Sequence, residues 1–239
     1  WLDVNVWGYG RGEEAWLIWS QELRGDPALP EVWEQLDHVL ATEWSCVNGK
    51  TLKIAQMAVD SGGHYSHQVY LYARERKAQG VIAIKGSSRR DQQIINRGAK
   101  VDINYRGKLM KSSGMVYQVG TDTAKTTIYG RLRHSQPGPG YFHFGLAADE
   151  EFFNQLTAEK QQVTTRRGFQ IKEWIKKSSD RSEKLDGCVY AYAALQLMLR
   201  RYDRKTVWDQ LEAKLSASGP QVKSRKTAPK QASSYISNW

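Results

Sequence analysis

Between Leu52 and Val59 the chain reads Leu-Lys-Ile-Ala-Gln-Met-Ala-Val, and the run stops abruptly at Asp60-Ser61-Gly62-Gly63. A polar and aromatic stretch from Ser66 to Gln79 follows, and then a second apolar run, Val81-Ile82-Ala83-Ile84. The first run reads as a strand buried on both faces, the middle stretch as a helix returning over the sheet, and the second run as a further strand. A strand-helix-strand unit commits the chain to an α/β architecture. In such units ligands gather at the carboxyl ends of the strands, where Asp60 stands. Its carboxylate is therefore a candidate metal ligand.

The flanking sequence supplies the other elements of such a fold. Leu2, Val4 and Val6 alternate with Asp3, Asn5 and Trp7, and Gly8 to Gly12 turns the chain into Glu14 to Trp19, the pattern of an antiparallel hairpin. Gly25-Asp26-Pro27 closes it. Val32, Trp33, Leu36, Val39 and Leu40 then recur at helical spacing between Pro30 and Thr42. From Ser87 to Arg106 the pattern fades into polar and basic residues, which reads as a surface excursion. Met115 to Val119 reads as a short strand, followed by a helical stretch through Leu132. Gln136 to Gly140 is a rigid turn leading into another short strand, Tyr141 to Phe144. Glu150 to Glu159 looks helical and Phe169 to Trp174 extended. Leu185, Cys188, Val189, Tyr192, Leu195 and Leu199 recur at three- and four-residue steps, the strongest helical stripe in the chain.

A length of 239 residues suffices for one large core with trimmings. We assign residues 1–215 to that domain. Residues 216–239 form a tail rich in Ser, Ala, Gln and Lys, without acids, that buries too little to order itself and reads as flexible. Tyr235, Ile236 and Trp239 at its end are candidate anchors for a partner. Lys and Arg number 35 against 25 Asp and Glu, a net charge of +10 that favours a polyanionic partner such as nucleic acid. Cys46 and Cys188 have no Cys or His at zinc spacing and read as buried thiols in a reducing compartment. No stretch is apolar enough to span a bilayer, and the start lacks a signal-peptide pattern. The sequence begins at Trp1 in what already reads as mid-sheet, so we expect a piece of a longer polypeptide.

Asp186 opens the last helical stripe, one residue after its first core position, Leu185. Its functional reading is a second carboxylate facing a cleft; its ordinary one is an acid complementing the helix dipole. Glu183 shares the ambiguity. Asp60 likewise has an ordinary reading, a turn residue accepting backbone hydrogen bonds. Together the two support each other. Carboxylates on a central strand end and a late helix suit holding a pair of Mg²⁺ or Mn²⁺ ions for in-line attack of water on a phosphodiester, because hard cations take oxygen ligands and leave room for water and phosphate.

The other polar residues carry weaker signals. His64 and His67 lack the further ligands that zinc requires. His143, alternating with aromatics, reads as a structural or DNA-facing strand residue. Gly120 to Thr126 lacks the glycine spacing of a Walker loop, so an ATPase is not expected. Lys125 in that stretch is a candidate phosphate contact, and a solvated lysine is its ordinary reading.

The succession Trp7 to Ile18, Val59-Asp60-Ser61-Gly62-Gly63, Ile84-Lys85-Gly86, Val119 to Lys125, Gly138 to Phe144 and Glu183-Lys184-Leu185-Asp186 resembles the carboxyl-terminal half of lambda-type phage terminase large subunits. The resemblance covers Trp1 to about Arg201. It implies an RNase H-like fold, a central mixed sheet flanked by helices, and a nuclease that cuts concatemeric viral double-stranded DNA with two divalent ions. It also implies the terminase small subunit and the portal protein as partners, and the host cytoplasm as the setting. The family's acidic cluster carries over at Asp60 and Asp186, and its motifs add Lys85, Asp122, Lys125, His143 and Glu183 as secondary candidates. The family's first catalytic Asp belongs to a strand preceding Trp1, and Asp3 takes the place of a non-catalytic Glu. The first ligand is thus expected outside this sequence, and the fragment alone is expected to lack full activity. Ser182 replaces an Asn common in the family. The rivals are a non-catalytic DNA-binding or portal-docking module, and an RNase H-like resolvase or transposase sharing the carboxylates.

Overall fold

In the computed structural model, which describes residues 1–46, 49–87, 89–166 and 168–217, the chain opens as the expected hairpin. Strand β1 (Leu2–Tyr9) pairs antiparallel with β2 (Ala15–Leu23). Gly12 takes a left-handed turn at φ 70°, and a Cβ there would stand 2.9 Å from the Pro139 ring, so the hairpin tip and the Pro-Gly turn pack together. Helix α1 (Pro30–Ala41) follows, then two short strands, β3 (Trp44–Ser45) and β4 (Thr51–Leu52), paired with each other in an antiparallel two-stranded sheet.

Next come β5 (Met57–Asp60), α2 (Ser66–Glu75), β6 (Val81–Ser87), β7 (Ala99–Tyr105) and β8 (Lys108–Gly120). Helix α3 (Thr121–Arg131), β9 (Phe142–Phe144), α4 (Glu150–Leu156), β10 (Lys160–Arg166), β11 (Phe169–Ile175), α5 (Glu183–Leu199) and α6 (Val207–Ala217) complete the order. Strands β5, β6 and β8 run parallel and β7 antiparallel, in the order β5-β6-β8-β7. The second mixed sheet has the order β1-β2-β9, with β9 parallel to β2. The α/β class holds, but the single central sheet expected from the sequence is replaced by two mixed sheets, with β1 and β5 each an edge strand.

The two sheets share both cores. Ala15, Leu17 and Phe142 of one sheet and Ile82, Ile84 and Val119 of the other bury against Ile128, Phe152, Leu185 and Val189 from α3, α4 and α5. On the opposite side, Leu23, Met57, Val81 and Ala83 bury against Val32, Leu36, Val69 and Tyr72 from α1 and α2. Alternate residues of β6 thus serve opposite cores, as a period of two requires. Helix α5 packs against both β1 and β5 and so joins the two sheet edges. Lys184 anchors its start on β1: its ammonium lies 2.8 Å from Asp3 Oδ2, and both side chains are nearly buried.

Several expectations are corrected. The strand before Asp60 is confined to Met57–Asp60 and is only partly buried; the two-face burial belongs to β6. Ser87 to Arg106 is not all surface excursion, since β7 lies within it and buries Ile103 against β8. Met115 to Val119 is part of a much longer strand, and Phe169 to Trp174 gains a hairpin partner in β10. Cys46 is half-buried rather than buried, while Cys188 is buried, and both are free. Helix α6 runs past the expected domain end at residue 215; residues 218–239, the remainder of the expected tail with its candidate anchors Tyr235, Ile236 and Trp239, lie outside the described residues. Among the described residues, no helix is long and apolar enough to cross a membrane.

Candidate active site

Asp60 ends β5 opposite Ile84 of β6. The chain must turn at once to enter α2, and the Ser-Gly-Gly seam makes that turn. Ser61 donates from both its backbone N and its Oγ to the Ile84 carbonyl, at 2.8 Å each. Ser66 Oγ then donates to the Ser61 and Gly63 carbonyls at 2.8 and 2.9 Å, fastening the turn to the start of α2. The Gly62 N–H donates to Asp60 Oδ1 at 2.9 Å, and a Cβ on Gly62 would crowd the carboxylate oxygens at 3.2 and 3.3 Å. The turn role read from sequence is therefore present, and it leaves Oδ2 available. Tyr190 of α5 approaches that oxygen at 3.4 Å.

Asp60 is open to solvent on one side and packed by protein on the other. Burial raises its pKa above the ordinary 3.8, against the opposing pull of the Gly62 N–H, Tyr190, Ser61 and the Lys85 charge. A cleft lined by Trp1, Trp33, Val59 and Tyr65 opens beside it.

Asp186 lies in the first turn of α5, four residues before Tyr190 and so on the same helix face. Burial raises its pKa as well; the Lys125 ammonium lowers it, and the charges of Glu159 and Asp60 push it up again. The two aspartates thus feel each other across the site. Tyr190 lies between their fields, its hydroxyl pKa pushed up by burial and then by Asp60 and Asp186.

Lys125, on α3, is not the solvated lysine of the ordinary reading. Its side chain is 11% exposed, and its ammonium bonds both oxygens of Glu159 at 2.8 Å each. Asp186 Oδ1 lies farther away, at 3.6 Å, and its side chain is 39% exposed. Glu159 sits between α4 and β10, and its carbonyl accepts a 2.5 Å hydrogen bond from Tyr129, one turn beyond Lys125 on α3.

The remaining candidates have other partners. Glu183 pairs with Arg181 at 3.2 Å. His143 lies on the other sheet, 2.6 Å from Glu14 and stacked on Trp16 with centroids 4.8 Å apart. Asp122 occupies the first turn of α3, where an acid complements the helix dipole. Lys85 reaches the site through its charge on Asp60. Sequence reasoning missed Tyr190 and Glu159. The first carries a signal, its four-residue offset from Asp186, whereas Glu159 lies in a connection that no periodicity marks.

Among the described residues, no set of three or more His, Cys, Asp or Glu converges as a metal cage. Two carboxylates from different elements, whose charged forms burial disfavours, nonetheless suit a hard cation. Mg²⁺ in particular is commonly held by one or two protein carboxylates, with water and substrate phosphate completing its shell. Asp60 and Asp186 are therefore the residues of this α/β scaffold that could hold a divalent ion.

The family profile described as "Terminase large subunit gpA, endonuclease domain" matches residues 1–208. The chain is 31% identical over 209 residues to the terminase large subunit of Escherichia phage lambda, covering 84% of this chain and 31% of that protein. It is 29% identical over 210 residues to the terminase large subunit of Enterobacteria phage P21, with the same coverage of 84% and 31%. The chain belongs to the family of terminase large subunit endonuclease domains, and it spans 31% of the length of each of these relatives. No solved structure matches it.

Proposed function

We propose that this domain is a metal-dependent endonuclease that cuts concatemeric double-stranded viral DNA by two-metal phosphodiester hydrolysis, with Asp60 and Asp186 holding Mg²⁺ or Mn²⁺. The observation that carries the reading is the pair of aspartates, on β5 and α5, whose pKa values are both raised by burial, with the charge of Asp60 raising that of Asp186 further. A divalent cation relieves that cost of ionisation. When bound, it supplies charge neutralisation at the phosphate and a lowered pKa for the attacking water. The chain's own part is to fix the carboxylates through the Ser-Gly-Gly turn and the first turn of α5, and to hold DNA. Arg89, Arg90, Arg97, Lys100 and Arg106, all exposed, favour the phosphate backbone.

We place the domain in an RNase H-like fold within a packaging terminase of the host cytoplasm, working with the small subunit and the portal. Support for that fold comes from the edge strands β1 and β5, both packed by α5. A strand from residues preceding Trp1, carrying the first Asp ligand, would pair with both edges and make one continuous sheet.

The test is Asp60→Asn and Asp186→Asn in the full-length protein, assayed by plasmid cleavage in Mg²⁺ and Mn²⁺. Each variant is expected to keep its circular dichroism spectrum and lose cleavage by at least about a hundredfold. Normal cleavage by either variant sinks the assignment. Absence of cleavage by the wild-type protein, with DNA binding intact, favours instead a non-catalytic DNA-holding module.

A further inference from the structure

Lys125 places a positive charge beside the very carboxylate proposed to take a cation. Three facts fix how close it comes. Both Glu159 oxygens hold the ammonium at 2.8 Å, whereas Asp186 Oδ1 stays at 3.6 Å. Lys125 and Glu159 are nearly enclosed, at 11% and 10% exposure, so their pairing is little screened by solvent. Glu159 is in turn held at its backbone by Tyr129, from the same helix as Lys125.

We propose that Glu159 is a positioning residue: by gripping Lys125 with both oxygens at 2.8 Å, it limits the ammonium to a longer, 3.6 Å ion pair with Asp186 and so keeps that carboxylate available to a divalent cation. The inference rests on the metal reading of Asp60 and Asp186. Without the grip, the nearest acceptor for the Lys125 ammonium is Asp186. A closer pair there, at hydrogen-bond distance, neutralises the carboxylate more fully and sets the positive charge directly against the incoming ion. With the grip, Lys125 and Glu159 cancel each other, and the net negative charge of Asp60 and Asp186 remains.

Mn²⁺ titration of the whole chain, followed by calorimetry and by the electron paramagnetic resonance of free Mn²⁺, tests this with Glu159→Gln, Lys125→Met and the double variant. Glu159→Gln is expected to weaken Mn²⁺ binding about tenfold, the scale of one direct charge contact near a protein surface. Lys125→Met is expected to bind Mn²⁺ at least as tightly as wild type. The double variant is expected to recover the wild-type affinity, which also shows that the loss in Glu159→Gln is not misfolding.

Wild-type affinity in Glu159→Gln overturns the proposal, as does weaker binding by Lys125→Met. A double variant as weak as Glu159→Gln overturns it too, because Glu159 then acts as a ligand rather than through Lys125. Failure of the wild-type chain to bind Mn²⁺ at millimolar concentration is a different result: it overturns the metal reading itself, and this inference with it.

Discussion

Gly187→Ala probes how tightly α5 must seat on β1 for Asp186 to be placed. A Cβ at position 187 would stand 1.9 Å from Asn5 Nδ2 and 3.0 Å from its Cγ, where ordinary contact begins at 3.4 Å. The approach is too close by about 1.5 Å, so something must move. Asn5 can swing away only by giving up the 2.7 Å hydrogen bond that Ser20 Oγ donates to its Oδ1, a loss of about 1 kcal/mol. Otherwise α5 lifts from the sheet and carries Asp186 with it. Overpacking of this kind costs about 1–3 kcal/mol, and the better helix propensity of alanine returns about 1 kcal/mol. The expected net loss is up to about 2 kcal/mol, which lowers Tm by up to roughly 8 °C for a domain of this size. Mn²⁺ affinity should fall with it. Asn5→Ala in the same chain removes the obstacle, so the double variant should be more stable than the two single losses added together, by about 1 kcal/mol or more. Thermal and urea denaturation of the four proteins measures this directly. A Gly187→Ala protein that melts at or above wild type, with additive single effects, refutes the seating described here.

Three further outcomes are expected. Asp60 and Asp186 have folded-state pKa values raised above 3.8, so each costs stability at neutral pH, a cost relieved as the pH falls through the raised value. Asp60→Asn and Asp186→Asn should therefore melt higher than wild type at pH 7, with the difference shrinking toward pH 4; lower melting at pH 7 contradicts the sign. DNA binding should weaken steeply with salt, and Arg97→Ala with Lys100→Ala should reduce the log–log salt slope by about 2, with little effect on sequence preference; an unchanged slope removes these residues from the interface. Amides on the open edges of β1 and β5 should exchange more slowly in the full-length protein than in this chain; equal exchange argues against a strand between them.

What the sequence makes legible depends on burial. Asp60 stands out because an apolar run ends on it at a glycine pair, and Asp186 because it borders the apolar stripe of α5; both signals are local. Ser87 to Arg106 hides β7 because its alternation, Val101, Ile103 and Tyr105 inward against exposed Lys100, Asp102 and Asn104, is brief and lies among basic, mostly exposed residues. The first half of β8 and the β10-β11 hairpin are concealed for a similar reason. The Lys125–Glu159 grip joins residues 34 positions apart across two helices and a connection, and no local pattern encodes such a contact. Lys125 therefore reads in isolation as a solvated lysine, though its partner has buried it. The division into two sheets is equally invisible, since the strands on either side are each well formed and only their pairing distinguishes one sheet from two.

The most direct test of the metal centre is a crystal structure of the protein soaked in Mn²⁺, read from anomalous differences at the manganese edge. A peak coordinated by carboxylate oxygens of both Asp60 and Asp186 is expected, with the Lys125 ammonium still on Glu159. A soaked crystal without a peak at these residues, or with the two side chains directed to opposite sides of β5, contradicts it.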